Sequence, residues 1–269
     1  MRTTKPERSL LLTSLLVALC VAVPSRAEAR PGRVAEQGLS SRRIARPAPR
    51  RTGDRLDPAR RRFYLQIMMH GSLNVSRTKV LKRRFMAPRS VRDEQIPRIA
   101  TQNFRRAARH VLQNHDRMTP SWRTARRLNR MLTRGLVPDD VRGQARFRRD
   151  PSRFYRWLSS REARELGRRD PVALAEKVHN RIASLDAFPD GNGRTSRLMA
   201  DLVLLRHGHA PAYYTRMTDY FARGGPRPPA TRTSQVSYFR EIARRGDAVT
   251  KRWDQLRRAA RATMTPPGR

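Results

Sequence analysis

The sequence predicts an all-α domain, and three observations predict it. Apolar residues recur at three- and four-residue steps over most of the chain beyond residue 95. Helix-start and helix-stop residues bracket those runs, as in Asp170-Pro171 and Gly208. Alternating apolar–polar stretches are nearly absent, with Val141 to Phe147 as the one candidate for a short β-hairpin flap.

Taken in order, Phe63, Leu65, Ile67 and Met68 mark where order begins, near Ala59. Ile96, Ile99/Ala100, Phe104, Ala107/Ala108 and Val111/Leu112 give one apolar stripe. Trp122, Ala125, Leu128 and Met131/Leu132 repeat it after Thr119-Pro120, and Gly135 is a stop. Asp150-Pro151 and Asp170-Pro171 each read as an N-cap followed by proline at the first helical position. The second opens a helix with Leu174, Val178, Ile182 and Leu185 on one face. Another starts near Gly193 and carries Leu198, Leu202 and Leu205 to Gly208. Amphipathic stretches follow near 212–222, 235–244 and 248–262.

The flanks differ from this core. Arg2, Lys5 and Arg8 precede an apolar run from Ser9 to Pro24, and Ala27-Glu28-Ala29 places small residues where a signal peptidase reads. Residues 1–29 are therefore expected to be a signal peptide, cleaved near Ala29, giving a periplasmic or secreted protein that is not integral to a membrane after cleavage. An uncleaved anchor is the competing reading. A lipoprotein reading through Cys20 meets the bulky Leu19 before it. Residues 30–58 are a basic Pro/Arg-rich linker, 59–262 the helical domain, and 263–269 a loose tail.

The 269 residues carry 60 Lys and Arg against 22 Asp and Glu, a formal charge of +38. The single cysteine excludes an internal disulfide framework and a thiolate metal cluster. Fifty-five of the basic residues are Arg, spread evenly along the chain rather than gathered in one stripe. Nonspecific polyanion binding is expected from such a charge, and a specific nucleic-acid partner is not.

One segment stands out: Leu185-Asp186-Ala187-Phe188-Pro189-Asp190-Gly191-Asn192-Gly193-Arg194-Thr195-Ser196-Arg197, between two helices. Gly191 and Gly193 allow a tight turn that brings bare N–H groups to a ligand. Those amides open the next helix, where the dipole favours an anion. Arg194 and Arg197, three apart, can flank the same spot. Asp190 is placed to hold Mg²⁺ against phosphates. Phe188 ties the loop to the core. The segment reads as a phosphate cradle with a metal ligand.

It resembles the active-site loop of the Fic (Fido) family, His-x-Phe-x-(Asp/Glu)-Gly-Asn-Gly-Arg-x-x-Arg. Phe188, Asp190, Gly191, Asn192, Gly193, Arg194 and Arg197 all match. Seven fixed positions arise by chance at on the order of one in a billion starts. The likeness covers about residues 120 to 220. It implies a compact helical fold with the loop between two central helices. It also implies transfer of a nucleotide monophosphate, usually AMP from ATP or another nucleoside triphosphate, to a Ser, Thr or Tyr hydroxyl of a protein. In that reading Gly191, Asn192 and Gly193 cradle phosphates, Asp190 holds Mg²⁺, and Arg194 and Arg197 neutralise developing charge.

The departure is at the first position, where the family's catalytic histidine is replaced by Asp186. A carboxylate with a reference pKa of about 3.9 is a weaker base than an imidazole at about 6.5. Phosphoryl transfer asks little of its base, so Asp186 can still orient a hydroxyl. Its charge also weakens triphosphate binding unless a cation compensates.

No other histidine carries the part. His179 lies seven residues earlier, about two helical turns away, and reads as a core or helix-face residue. His207 and His209 have the spacing of a metal clip but no third ligand, so a surface turn is the stronger reading. Ser237 to Glu241 has the spacing of the family's inhibitory Ser-x-x-x-Glu-(Gly/Asn), yet Ile242 stands where Gly or Asn belongs. Two readings result: an exported Fic-type transferase altered by Asp186, or a catalytically silent Fic-fold binding protein using the same cradle.

Overall fold

The computed structural model describes residues 56–80, 91–92, 94–143, 151–225 and 230–264. The signal-peptide segment and all but the end of the linker lie outside them. Helix α1 spans Pro58–Val80, α2 Gln95–Asn114, α3 Trp122–Leu132, α4 Ser152–Leu158, α5 Arg161–Arg169, α6 Pro171–Leu185 and α7 Asn192–Arg206. A single helical turn, α8 (Met217–Asp219), runs into a π-turn at Tyr220–Gly224, and α9 spans Arg232–Met264. No strand occurs among the described residues. The all-α class is what the spacing predicts.

The caps follow from side-chain chemistry. Ser121 Oγ accepts from Thr124 N at 3.2 Å, and Asp170 Oδ1 from Ala173 N at 2.9 Å with Pro171 opening α6. Ser160 caps α5, a helix the periodicity does not single out. At the C-terminal end of α2, Arg206 Nη1 donates to the carbonyls of His115, Asp116 and Met118 at 3.3, 3.2 and 2.7 Å. A cation there also meets the negative end of the helix dipole.

The core is a buried cluster around α6 and α7, which pack on each other. Leu174, Val178, Ile182 and Leu185 on α6 meet Leu198, Leu202 and Leu205 on α7, as the sequence predicts. Helix α3 packs on α7, α2 on both α1 and α3, and α9 on α6. Helices α1 and α9 join through the stacked rings of Phe63 and Trp253, 4.7 Å apart, and the Arg60–Asp254 ion pair.

Three expectations need correction. The stretches near 235–244 and 248–262 form one helix, α9, which passes through Gly246. That glycine is a close approach and not a break, since a Cβ there would lie 2.2 Å from Pro211 O. The 212–222 stretch is not an amphipathic helix: residues 210–216 are irregular, with Ala212 N donating to Asp201 Oδ1 and Tyr213 N to Ile242 O, each at 3.0 Å. Those bonds tie the segment to α7 and α9 in place of a helical turn. At the start of α4, Pro151 occupies the cap position and not the first helical one; Asp150 lies outside the described residues. Of the flap candidate, Val141 to Gly143 form a turn, and the rest also lies outside.

Candidate active site

The loop from Asp186 to Gly191 joins α6 to α7, and Asp186, Asp190, Gly191, Asn192, Gly193, Arg194 and Arg197 all lie on it or on the first turns of α7. Asp186 ends α6 in the left-handed conformation, φ 47° and ψ 40°, the one non-glycine positive φ among the described residues. Aspartate tolerates that region better than most side chains do. Gly191 takes the same region at φ 78°, where glycine has no Cβ penalty.

Asn192 holds the loop in shape. Its Nδ2 donates to Asp186 Oδ1 at 2.9 Å and to Phe188 O at 2.7 Å, while its Oδ1 accepts from Phe188 N at 2.9 Å. Phe188 is buried and stacks on Trp122, ring centroids 5.1 Å apart and planes 10° apart. The loop is thereby fastened to α3 from its apolar side.

The charged residues sit on the other side. Asp190 Oδ1 accepts from Gly191 N at 2.5 Å, and Arg194 Nη2 donates to Asp190 Oδ2 at 3.0 Å. Arg194 Nη1 reaches Leu132 O at 3.4 Å, at the C-terminal end of α3. The first turn of α7 receives no side-chain cap from Gly191, an arrangement in which opening helix amides can bind an anion. Asp190 has a part-exposed carboxylate, and a carboxylate oxygen can accept more than one bond. A Mg²⁺ held largely by substrate phosphates suits such a donor set, since that ion takes one or two carboxylates and keeps several other ligands.

Arg197 lies deeper than the spacing suggests. It is buried among Tyr220, Tyr214 and Asp201, with Gly193 beside its Nη1. Burial pulls its guanidinium below the ordinary range, Tyr220 opposes that most, and Arg194 adds to it. Asp201, one turn further on, is pushed up to about 7 by burial, against the Ala212 N–H and Arg197. His179 is fully buried and drawn down to about 4 by desolvation, with Asn180 opposing and Arg197 adding to the fall. Its Nε2 lies 3.3 Å from Tyr220 Oη. It is a core histidine, as its sequence position suggests.

His207, His209 and Glu241 have partners of their own away from the loop. His209 Nδ1 is 2.9 Å from Asp247 Oδ2, and the His207 ring packs against Gly167. No group of three or more His, Cys, Asp or Glu gathers as a metal site among the described residues. Glu241 pairs with Arg223 at 2.9 Å and Arg245 at 2.7 Å.

Several residues at the site escape a sequence reading. Asn129 on α3 donates from Nδ2 to Asp190 O at 2.7 Å and to Thr195 Oγ1 at 3.2 Å. Asp201, one turn along the same helix, and Tyr220, from beyond it, lie beside Arg197. Asn129 carries one usable signal, a polar residue among the apolar positions of its helix.

This loop geometry, between two packed helices, is where the chain meets known proteins. Residues 98–204 match the Fic/DOC family. The Fic/DOC match contains the whole cradle and leaves out α1, Tyr220 and α9. The protein adenylyltransferase Fic of Drosophila mojavensis is 33% identical over 95 residues, 35% of this chain and 16% of that protein. The Drosophila melanogaster protein of the same name gives the same identity and coverage, 33%, 35% and 16%. The aligned part is thus about a sixth of the length of these relatives. Among solved structures, Fic-1 from C. elegans superposes with a TM-score of 0.50 at 17% identity, over 73% of this chain and 64% of that one. That is a likeness of fold, and the helical architecture described above agrees with it.

Proposed function

We propose that this chain is an exported Fic-type enzyme that transfers a nucleotide monophosphate, or a related phosphate-linked group, to a Ser, Thr or Tyr hydroxyl of a protein. The observation that carries the proposal is the assembled cradle: Gly191 in the left-handed region, uncapped amides opening α7, and Arg194 paired to Asp190 at 3.0 Å. The match to Fic/DOC over residues 98–204 and the adenylyltransferase name of the relatives supply the reaction class.

In this reading the opening amides of Asn192 and Gly193 bind the donor phosphates, and Arg194 and Arg197 balance their charge. Asp190 would hold Mg²⁺, which would supply positive charge to balance the phosphates. The target oxygen attacks the α-phosphorus, a new P–O bond forms, and pyrophosphate leaves with the bonding electrons of the broken one. Asp186, held by Asn192, orients the hydroxyl and takes its proton late in the transfer. A poor base makes the reaction slow.

The same Asp186–Asn192 bond supports a second reading, in which the carboxylate locks the loop of a binding protein that performs no transfer. Export adds to the contrast, because a periplasm or medium holds little ATP. Enzymatic activity there requires delivery to a compartment that contains nucleotide.

Mature protein incubated with each labelled nucleoside triphosphate and Mg²⁺, and followed by intact mass, separates the two. Label in the native protein that disappears in Arg194→Ala supports the transferase. Label only in Asp186→His favours the binding protein. The N-terminal residue of exported material tests cleavage near Ala29.

A further inference from the structure

The strongest contacts on the cradle from outside its own loop come from α3. Asn129 is 1% exposed. Its Nδ2 donates to the backbone carbonyl of Asp190 at 2.7 Å and to Thr195 Oγ1 at 3.2 Å. Thr133 Oγ1 donates back to Asn129 O at 2.8 Å, fixing the turn that carries Asn129. Next to it, Leu132 O accepts from Arg194 Nη1 at 3.4 Å and from the buried Asn103 Nδ2 at 3.3 Å. Asn103 Nδ2 also reaches Arg134 O at 2.6 Å, so α2 braces the end of α3. A Cβ on Gly191 would lie 3.0 Å from Asn129 Nδ2 and 3.2 Å from Thr133 Cγ2. The loop backbone therefore lies directly on this turn.

The peptide between Asp190 and Gly191 is planar, so its carbonyl and its N–H point in opposite directions. Asn129 takes the carbonyl on the α3 side. The N–H then faces outward and binds Asp190 Oδ1 at 2.5 Å. Rotation of this peptide would withdraw that donor and leave the Oδ1 side of the carboxylate without it, while Arg194 still holds Oδ2. Gly191 lets such a rotation occur at little steric cost.

We propose that Asn129 is a positioning residue which locks the Asp190–Gly191 peptide and thereby aims the Asp190 carboxylate at Mg²⁺–phosphate. This deepens the transferase reading and rests on it for the identity of the ligand. Groups that only support a liganding side chain commonly change metal affinity by about 10–100-fold when removed.

The test uses the mature chain with Asn129→Ala, Asn129→Asp and Thr195→Val. Amide hydrogen exchange over residues 186–195 is measured without ligand, and ATP affinity is measured by calorimetry with Mg²⁺ and with chelator. Asn129→Ala is expected to speed exchange at residues 190–194 by about tenfold while peptides from α6 and α9 stay unchanged. The gain in ATP affinity that Mg²⁺ confers falls by about tenfold or more, and affinity without Mg²⁺ changes little. Asn129→Asp matches the size but lacks the donor, so it behaves like Asn129→Ala and carries the test should that variant not fold. Thr195→Val removes only the second bond and leaves both readouts near wild type. Unchanged exchange in Asn129→Ala overturns the lock. Faster exchange with an undiminished Mg²⁺ gain overturns the positioning role. If the wild type takes neither ATP nor any other nucleoside triphosphate, the nucleotide-transfer reading and the aiming of Asp190 fail together, and exchange alone decides whether the lock exists.

Discussion

Asn192 Nδ2 donates to Asp186 Oδ1 at 2.9 Å, and the same nitrogen holds Phe188 O at 2.7 Å. The residue that ends α6 is thus tied to the residue that shapes its loop. Asp186 is a built-in part of the site geometry, stationed at the end of α6 in a backbone conformation that suits Asp and Asn.

The two roles of Asp186 separate by substitution. Asp186→Asn keeps the left-handed conformation and an acceptor oxygen but loses the charge. Its melting temperature should stay within a few degrees while transfer drops. Asp186→His should raise transfer by about 10²–10⁴-fold, the usual worth of a well-matched general base. Equal transfer by Asp186→Asn and the native protein would show that the carboxylate takes no proton.

Arg194 bridges Asp190 and the end of α3 with two nitrogens of one planar group. A lysine ammonium cannot span both acceptors. Arg194→Lys is expected to lose about tenfold or more in Mg²⁺-dependent nucleotide affinity, close to Arg194→Ala. Calorimetry showing full affinity in Arg194→Lys would reduce this residue to a diffuse positive charge.

Phe188 fastens the loop through its stack on Trp122. Phe188→Ala removes a buried ring and should cost about 3–5 kcal/mol by denaturant unfolding. Phe188→Leu fills most of the space and should cost less. A Phe188→Ala protein as stable as wild type would mean that the loop closes over the gap.

Burial moves Asp201 and His179 in opposite senses, and stability should record both. Asp201 has its folded pKa raised to about 7 from an ordinary 3.8, so the native state holds a proton that the unfolded chain releases. Stability from this group is greatest at low pH and falls as pH rises from about 4 to about 7. His179 is lowered to about 4 from 6.5, so here the unfolded chain binds the extra proton. Its effect makes stability rise with pH between about 4 and 6.5. Asp201→Asn removes the falling component. The stability of Asp201→Asn relative to wild type should therefore increase with pH from about 4 to 7, measured by denaturant midpoints. A constant difference across that range would show that Asp201 is charged throughout in the native protein.

Much of the fold was legible because it depends on local chemistry. Asp170 and Pro171 dictate where α6 begins, and the stripe from Leu174 to Leu185 dictates which face is buried. Gly246 shows the limit of that reasoning. In a sequence it looks like an interruption, yet it allows α9 to pass Pro211 without a break. A close approach between segments 35 residues apart has no local signature.

The candidate site divides in the same way. Its residue types and spacing lie in one short stretch, Asp186 to Arg197, so the candidate anion-binding amides, the candidate metal ligand Asp190 and the carboxylate at 186 were all legible in the sequence alone. Only the tertiary structure decided that Arg197 is buried beside Asp201 and Tyr220, that Arg194 reaches Leu132, and that Asn129 holds the Asp190 carbonyl. The physical reason is range. Capping, turn geometry and helix periodicity act over a few residues, whereas desolvation and hydrogen bonds across helices depend on which distant segments packing brings together.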